Sequence, residues 1–163
     1  MTSSINVLFS KDAIATVSQK ETEELKRIAL ESPLKRSRLC LHHTQDDPVQ
    51  EMVIALHRDT YLRPHRHQGK SESFHMIEGA VCIAFFDDAG AILQTVRLFA
   101  DLQKTFLYRL SESLWHTVIP LTEFAVFQEV TTGPFSSSEY PAWEPENTPE
   151  AQEAFKTRIL RYG

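Results

Sequence analysis

From Ser37 onward the chain is a succession of short apolar runs broken by turn residues, and this pattern narrows the fold more than any other feature. The runs are Arg38 to His42, Met52 to Leu56, Phe74 to Ile77, Ala80 to Phe86, Ile92 to Leu98, Thr105 to Tyr108, Thr117 to Ile119 and Phe124 to Val130. Asp, Gly, Pro or Ser stands between them, residues whose backbone preferences favour turns over continued strand. Asp87-Asp88-Ala89-Gly90 is the clearest such break, a hairpin turn between two runs. About eight short strands at this spacing fold into a sandwich or a barrel.

Helices are expected at both ends. Ser18 followed by Glu21 has the form of a capping box and opens a helix from Gln19 to Glu31. Leu25, Ile28 and Ala29 share one face of it, and Pro33 closes it. A helix this short is not stable alone, so it should pack on the barrel or on a neighbouring subunit. Near the end, Pro141, Pro145 and Pro149 mark an irregular crossing. Thr148 as N-cap and Pro149 at the first helical position start a last helix, with Ala151, Ala154, Phe155, Ile159 and Leu160 as its apolar stripe. The expected organisation is a helical arm over 1–34, a β-barrel over 35–140 and a crossing plus helix over 141–163, all in one compact domain.

Composition excludes several classes of partner. A net charge of −5 and a pI near 5.8 argue against nucleic acid and anionic membranes, both of which attract basic proteins. No apolar run reaches the ~18 residues of a membrane span. The start, Met-Thr-Ser-Ser-Ile-Asn-Val, has neither the basic opening nor the apolar core of a secretory signal. Cys40 and Cys82 both sit inside apolar runs and are expected as reduced core residues of a cytoplasmic protein.

The chemistry is concentrated in Pro64-His65-Arg66-His67-Gln68-Gly69-Lys70-Ser71-Glu72. Imidazole and carboxylate are ligands for borderline divalent metals. Side chains at i and i+2 of a strand project from one face, so His65 and His67 point together. A Gly-containing turn over Gln68 to Ser71 would fold the next strand back and set Glu72 beside His67. A fourth ligand must come from far along the chain, and His116 is the best-placed candidate.

The order His65, His67, Glu72, Gly79 resembles the first motif of the cupin superfamily. The wider sequence looks like the WbuC-type cupin metalloproteins of bacterial surface-polysaccharide gene clusters. The matching segments are Ser32 to His42, Asp47 to Met52, Tyr61 to His67, Lys70 to His75, Trp115 to Thr117 and Thr132 to Phe135, within a likeness that runs from about Ser32 to Trp143. Two departures stand out. Asp59 replaces the Gly usual before the first ligand, and the second cupin motif keeps only His116, with Ser111, Ser113 and Pro120 where Pro, Gly and Asn would fall. The resemblance implies a mainly β cupin double-stranded β-helix, a jelly-roll barrel, with an N-terminal helical arm and a C-terminal helix. It implies one divalent transition metal ion (Fe, Mn, Ni, Co or Zn) held by His65, His67, Glu72 and His116.

Strand parity extends the candidate pocket. With Glu72 inward, Phe74 and Met76 face inward and His75 faces away. With His65 and His67 inward, Arg63 and Tyr61 share their direction and would rim the cavity. Arg63 then has two roles open to it, an anion clamp or the partner of an acidic residue on the rim. Lys70 lies at the hairpin tip. Arg38 shares a face with Cys40 and His42, which is either the cavity face or a subunit face. Trp115 either stacks on a sugar ring or packs in the wall. One of Gln128 and Glu129 faces the cavity, and the alternation does not say which.

Three imidazoles and one carboxylate leave a bound ion with positive charge and open positions for a chelating molecule. The expectation is a metal-dependent enzyme on a small anionic or sugar-derived molecule. A non-catalytic binding or sensing cupin is the alternative, and an iron dioxygenase a narrower third. A homodimer is expected, since the helical arm and the barrel edges need cover.

Overall fold

A computed structural model describes residues 6–162. The opening residues of the 1–34 arm, 1–5, lie outside the described part. Nine strands and two helices follow one another: β1 (Val7–Phe9), α1 (Gln19–Glu31), β2 (Arg36–Cys40), β3 (Val49–His57), β4 (Glu72–Glu78), β5 (Ala80–Phe86), β6 (Ile92–Phe99), β7 (Leu107–Leu110), β8 (Trp115–Pro120), β9 (Phe124–Thr132) and α2 (Pro149–Leu160). The strands form two sheets, one in the order β1-β2-β3-β9-β4-β7 and one in the order β6-β5-β8. Every pairing is antiparallel except β1 with β2. This is a two-sheet arrangement of the kind that the spacing of the runs implied, and it fits the cupin architecture that the resemblance implied.

The two sheets close on an apolar interior. Leu56, Phe74, Met76, Ile83, Leu98 and Phe127 are among its buried members. Burying side chains of this size stabilises by about 1.5–3 kcal/mol each. The larger sheet is covered outside by α1, whose Leu25 and Ala29 pack with Val53, Ala55 and Val126. The smaller sheet is covered by α2, where Phe155 and Ile159 pack with Cys82, Ala84, Phe86, Trp115 and Ile119. The central strands β3, β5 and β8 are therefore largely buried on both faces, and their runs read as continuous, whereas β4 and β7 alternate.

The helix ends follow the chemistry of their caps. Ser18 accepts from the backbone of the first turn while Glu21 reaches back to the Ser18 N–H at 2.8 Å. Thr148 accepts from Ala151 N at 3.2 Å, with Pro149 beside it. On the stripe of α2, Phe155 and Ile159 are buried but Ala154 is exposed, a departure from the expected face. Gly79 turns the chain from β4 to β5 at φ +72°, and a Cβ there would lie 2.3 Å from the Phe124 carbonyl oxygen. No other residue fits that approach. Cys40 and Cys82 are free and buried.

Candidate metal centre

The two ligand segments meet across the barrel by backbone pairing. His65 and His116 form an antiparallel bridge, exchanging N–H···O bonds of 2.9 and 2.8 Å, and Arg66 bridges Glu139. The segment around His65 thus extends the smaller sheet beyond β8. It does not pair with β4, so the expected hairpin from His67 to Glu72 is absent. Glu72 reaches the histidines from the other sheet instead, as the first residue of β4.

The nitrogens of His65, His67 and His116 converge, with one ligand atom of each within 4.8 Å of the others. Their ring centroids are 4.4, 5.0 and 5.7 Å apart. Glu72 completes the set, its Oε1 3.2 Å from His116 Nε2 and its Oε2 3.6 Å from His67 Nε2. His116 and Glu72 are buried, at 1% and 3% exposure. His116 follows from strand order: it is opposite Phe85 on β5 and shares the interior face with Val118.

The imidazoles are oriented by the backbone. His65 Nδ1 donates to Arg63 O at 2.8 Å and His116 Nδ1 donates to Leu114 O at 2.9 Å. A carbonyl oxygen only accepts, so these Nδ1 atoms carry the proton and the neutral rings present Nε2 as a lone pair. This is the outer hydrogen bonding that metal-ligating histidines need. His116 Nε2 is buried with no hydrogen-bond partner. A buried nitrogen whose near neighbours are two further imidazoles and the Glu72 carboxylate, 3.2 Å away, fits a divalent cation.

Electrostatics point the same way. Burial, with repulsion from His116, pushes His65 down to about 3, and burial also lowers His67. Burial opposes the charge on His116, but the Glu72 carboxylate overcomes it and raises its pKa. Burial likewise opposes the charge on Glu72, and His116 together with the Tyr108 hydroxyl holds it below the ordinary carboxylate range. Without a metal, one proton on His116 balances Glu72. A divalent ion would replace that proton and serve all four groups at once.

Two residues around the cluster were not singled out by sequence reasoning. Tyr108 on β7 donates its hydroxyl to Glu72 Oε1, and the Phe74–Tyr108 register that puts it there is invisible without strand pairing. Glu129 shares the interior face with Phe127, next to Phe74 on β4, and burial and the Glu72 charge push its pKa up. Gln128 points outward and donates to Glu51. The ambiguity between them is resolved, but the signal was hidden because α1 makes the outer face apolar too.

Most of the other candidates sit away from the centre. Tyr61 packs with the outer cluster of the smaller sheet, and its hydroxyl is buried without a partner. The parity argument fails because Thr60 to Pro64 is not a regular strand. Arg63 pairs with Glu144 through contacts of 2.6 and 2.8 Å and lies over the Tyr140 ring at 3.6 Å. It takes the rim-pairing role. Trp115 faces away from His116, packing near Trp143, bonding Asp88 at 2.9 Å and lying under Arg66. Trp115 is wall. Lys70 donates to the Pro134 carbonyl. Arg38 does face inward, on the side of β2 that pairs with Ile54 and Met52.

A cupin barrel with a histidine triad able to hold a metal ion is the class of protein defined by this fold and site. The chain belongs to the family described as Domain of unknown function (DUF6016), whose profile matches residues 17–98. That span contains His65, His67 and Glu72 and stops short of His116. Among solved structures, a Shewanella oneidensis protein is 12% identical with a TM-score of 0.53, covering 71% of this chain and 74% of its own. An HTH_3 family transcriptional regulator from Vibrio cholerae is 24% identical (TM-score 0.46), covering 61% of this chain and 52% of its own. A Lactobacillus farciminis oxalate decarboxylase is 15% identical (TM-score 0.47), covering 58% of this chain and 27% of its own. The chain thus spans about half the regulator and about a quarter of the decarboxylase. No curated protein matches the chain.

Proposed function

We propose that this protein binds one divalent transition metal ion through His65, His67, His116 and Glu72 and uses it enzymatically on a small anionic or sugar-derived molecule. The observation that carries the reading is the convergence of one nitrogen each from His65, His67 and His116 to within 4.8 Å of one another, with the buried Glu72 carboxylate against them. Such an ion supplies Lewis-acid activation of a hydroxyl or carbonyl, or redox chemistry if it is iron. The chain's own part is to hold the imidazoles by the Arg63 and Leu114 carbonyls and to hold Glu72 by Tyr108. Glu129, on the interior face opposite Phe74, offers a further buried carboxyl for an acid–base role.

The WbuC-type likeness extends this proposal to surface-polysaccharide metabolism and gives the first substrates to try. Elemental analysis of the protein as purified should find about one metal per chain, and His116→Ala should abolish it. The metal-loaded protein is then offered nucleotide sugars, sugar phosphates and hydroxy acids. No metal uptake after soaking in Mn, Fe, Co, Ni and Zn salts would sink the proposal. A non-catalytic binding or sensing role is the second reading, supported by Tyr108 being already committed to Glu72. Retention of an unmodified metabolite through purification, with no turnover, favours it.

We further propose a cytoplasmic homodimer. The sheet ends on β1 and β7, whose Phe9 and Leu107 are 40% and 51% exposed, and a second copy would cover such edges. Light scattering that gives a monomer mass overturns this.

A further inference from the structure

Arg36 and Arg38 differ from the other arginines in being half-buried without an ion pair; Arg58, Arg97, Arg109, Arg158 and Arg161 also lack one among the described residues but are exposed. Arg27 pairs with Glu24 and Glu31, Arg63 with Glu144, and Arg66 with Glu139 and Asp88. Neither Arg36 nor Arg38 makes an ion pair among the described residues, although both are half-buried. Arg38 Nε is buried with no hydrogen-bond partner. Arg36 has a single long contact, from Nη1 to the Tyr61 carbonyl at 3.4 Å.

Their place in the fold is fixed by register. Arg36 is opposite Leu56 and Arg38 opposite Ile54, and Leu56 lies in the barrel interior with Ile54 packed against it. Both guanidiniums therefore leave β2 on the interior face, about 7 Å apart along the strand. Arg36 lies near Tyr140, in the crossing whose Ser138 approaches His67 Nδ1 at 3.5 Å. Glu129 is further along the same face toward the cluster and forms no ion pair with either arginine. Two like charges held side by side and partly out of water, with Glu129 near enough to feel Arg38 but not paired with it, are costly unless something negative arrives.

We propose that Arg36 and Arg38 form an anion clamp inside the barrel that takes the dianionic end of the small molecule, a phosphate monoester or an oxyanion of similar charge. Two guanidinium forks match the number of oxygens and the charge of such a group better than they match a single carboxylate. The location rests on the metal-centre reading, but the clamp itself does not require the metal.

The test is calorimetric titration of the full chain with inorganic phosphate, with acetate and malonate as comparison anions, in metal-free and zinc-loaded forms. Saturable phosphate binding is expected in both forms. Arg38→Gln and Arg36→Gln should each weaken it at least about tenfold, and Arg38→Lys should weaken it less. Zinc stoichiometry should not change in any of the variants. Without an anion, Arg38→Gln should melt no lower than wild type, since it removes an uncompensated charge; a structural strut would melt lower. Phosphate should raise the melting temperature of wild type and leave that of Arg38→Gln where it is. Equal phosphate affinity in wild type and Arg38→Gln overturns the clamp, and so does acetate binding as tightly as phosphate. Loss of phosphate binding on metal removal also overturns it, because the anion then sits on the metal. Failure of zinc to bind, with phosphate still held by the arginines, breaks only the metal reading.

Discussion

The two ends of the barrel interior are built from the same strands and obey opposite chemistry. Along β4 the inward residues pass from Glu72 through Phe74 to Met76, and along β8 from His116 to Val118. Along β9 they pass in the reverse direction, from Ala125 through Phe127 to Glu129. Each strand thus changes from apolar to polar within about two turns of its pleat. The apolar end supplies stability in proportion to the area it buries. The polar end buries ionisable groups whose cost is recovered only when they are paired or bound to a cation. Stability and function are therefore separable along a single strand.

The sharpest way to break this division is to damage one end and measure the other. Leu56→Ala, at a position 1% exposed in the apolar end, should cost about 2–5 kcal/mol in urea unfolding. The folded fraction should still take up its metal. A loss under about 1 kcal/mol, or a loss of metal sites from folded protein, would show that the two ends are not independent.

Tyr108→Phe tests the polar end with a single oxygen atom. It removes the hydroxyl that holds Glu72 and leaves the ring packed against Phe74 and Phe85. Metal affinity should fall by about 10–100-fold, the usual effect of losing an outer hydrogen bond to a ligand. Unchanged affinity in a chelator competition would mean that Glu72 is not positioned by Tyr108.

Acid should separate the ends without any mutation. In the metal-free protein, His65 stays neutral down to about 3, whereas its ordinary value is 6.5. Below 6.5 the unfolded chain takes up a proton that the folded chain refuses, so stability falls as pH drops, by at most about 1.4 kcal/mol per pH unit. His67 acts in the same sense. His116 is raised and acts oppositely: its contribution is complete below 6.5 and is lost as pH rises through its folded value. Glu129, whose pKa is raised, acts with His116 against this loss, so the test is the difference between variants. Urea titrations from pH 7 to pH 4 should give the same slope in wild type and in Leu56→Ala, and a slope shifted toward less loss on acidification in His65→Gln. Parallel slopes in all three would place the acid sensitivity elsewhere.

What was legible in the sequence follows the same line. Helix α1 was readable to the residue because Ser18, Glu21 and Pro33 act locally, and the limits of β5 were readable because Gly79 and Asp87 bound it. The pairing of His65 with His67 was readable from their spacing, even though the expected hairpin that followed was wrong. Strand β1, three residues long, gave no periodic signal. Tyr108, Glu129 and Arg36 were not readable because their placement depends on which strands pair. Tyr61 was misplaced because alternation was extended through Thr60 to Pro64, where the backbone makes no regular strand and Pro64 breaks it.

The smallest effect is the one that most sharpens the contrast between the rim and the interior. The sequence offered Arg63 as an anion clamp and left Arg38 to face either the cavity or a subunit, yet Arg63 is about half exposed and already forked onto Glu144, whereas Arg38 is half-buried with no ion pair among the described residues. An exposed pair of this kind contributes about 0–1 kcal/mol. Arg63→Ala should therefore shift stability by no more than that, and metal and phosphate affinity should stay at wild-type values. The His65 imidazole is held by the Arg63 backbone carbonyl, which the substitution keeps. If Arg63→Ala lowers phosphate affinity as much as Arg38→Gln, the anion is recognised at the exposed rim and the division between the two arginines fails.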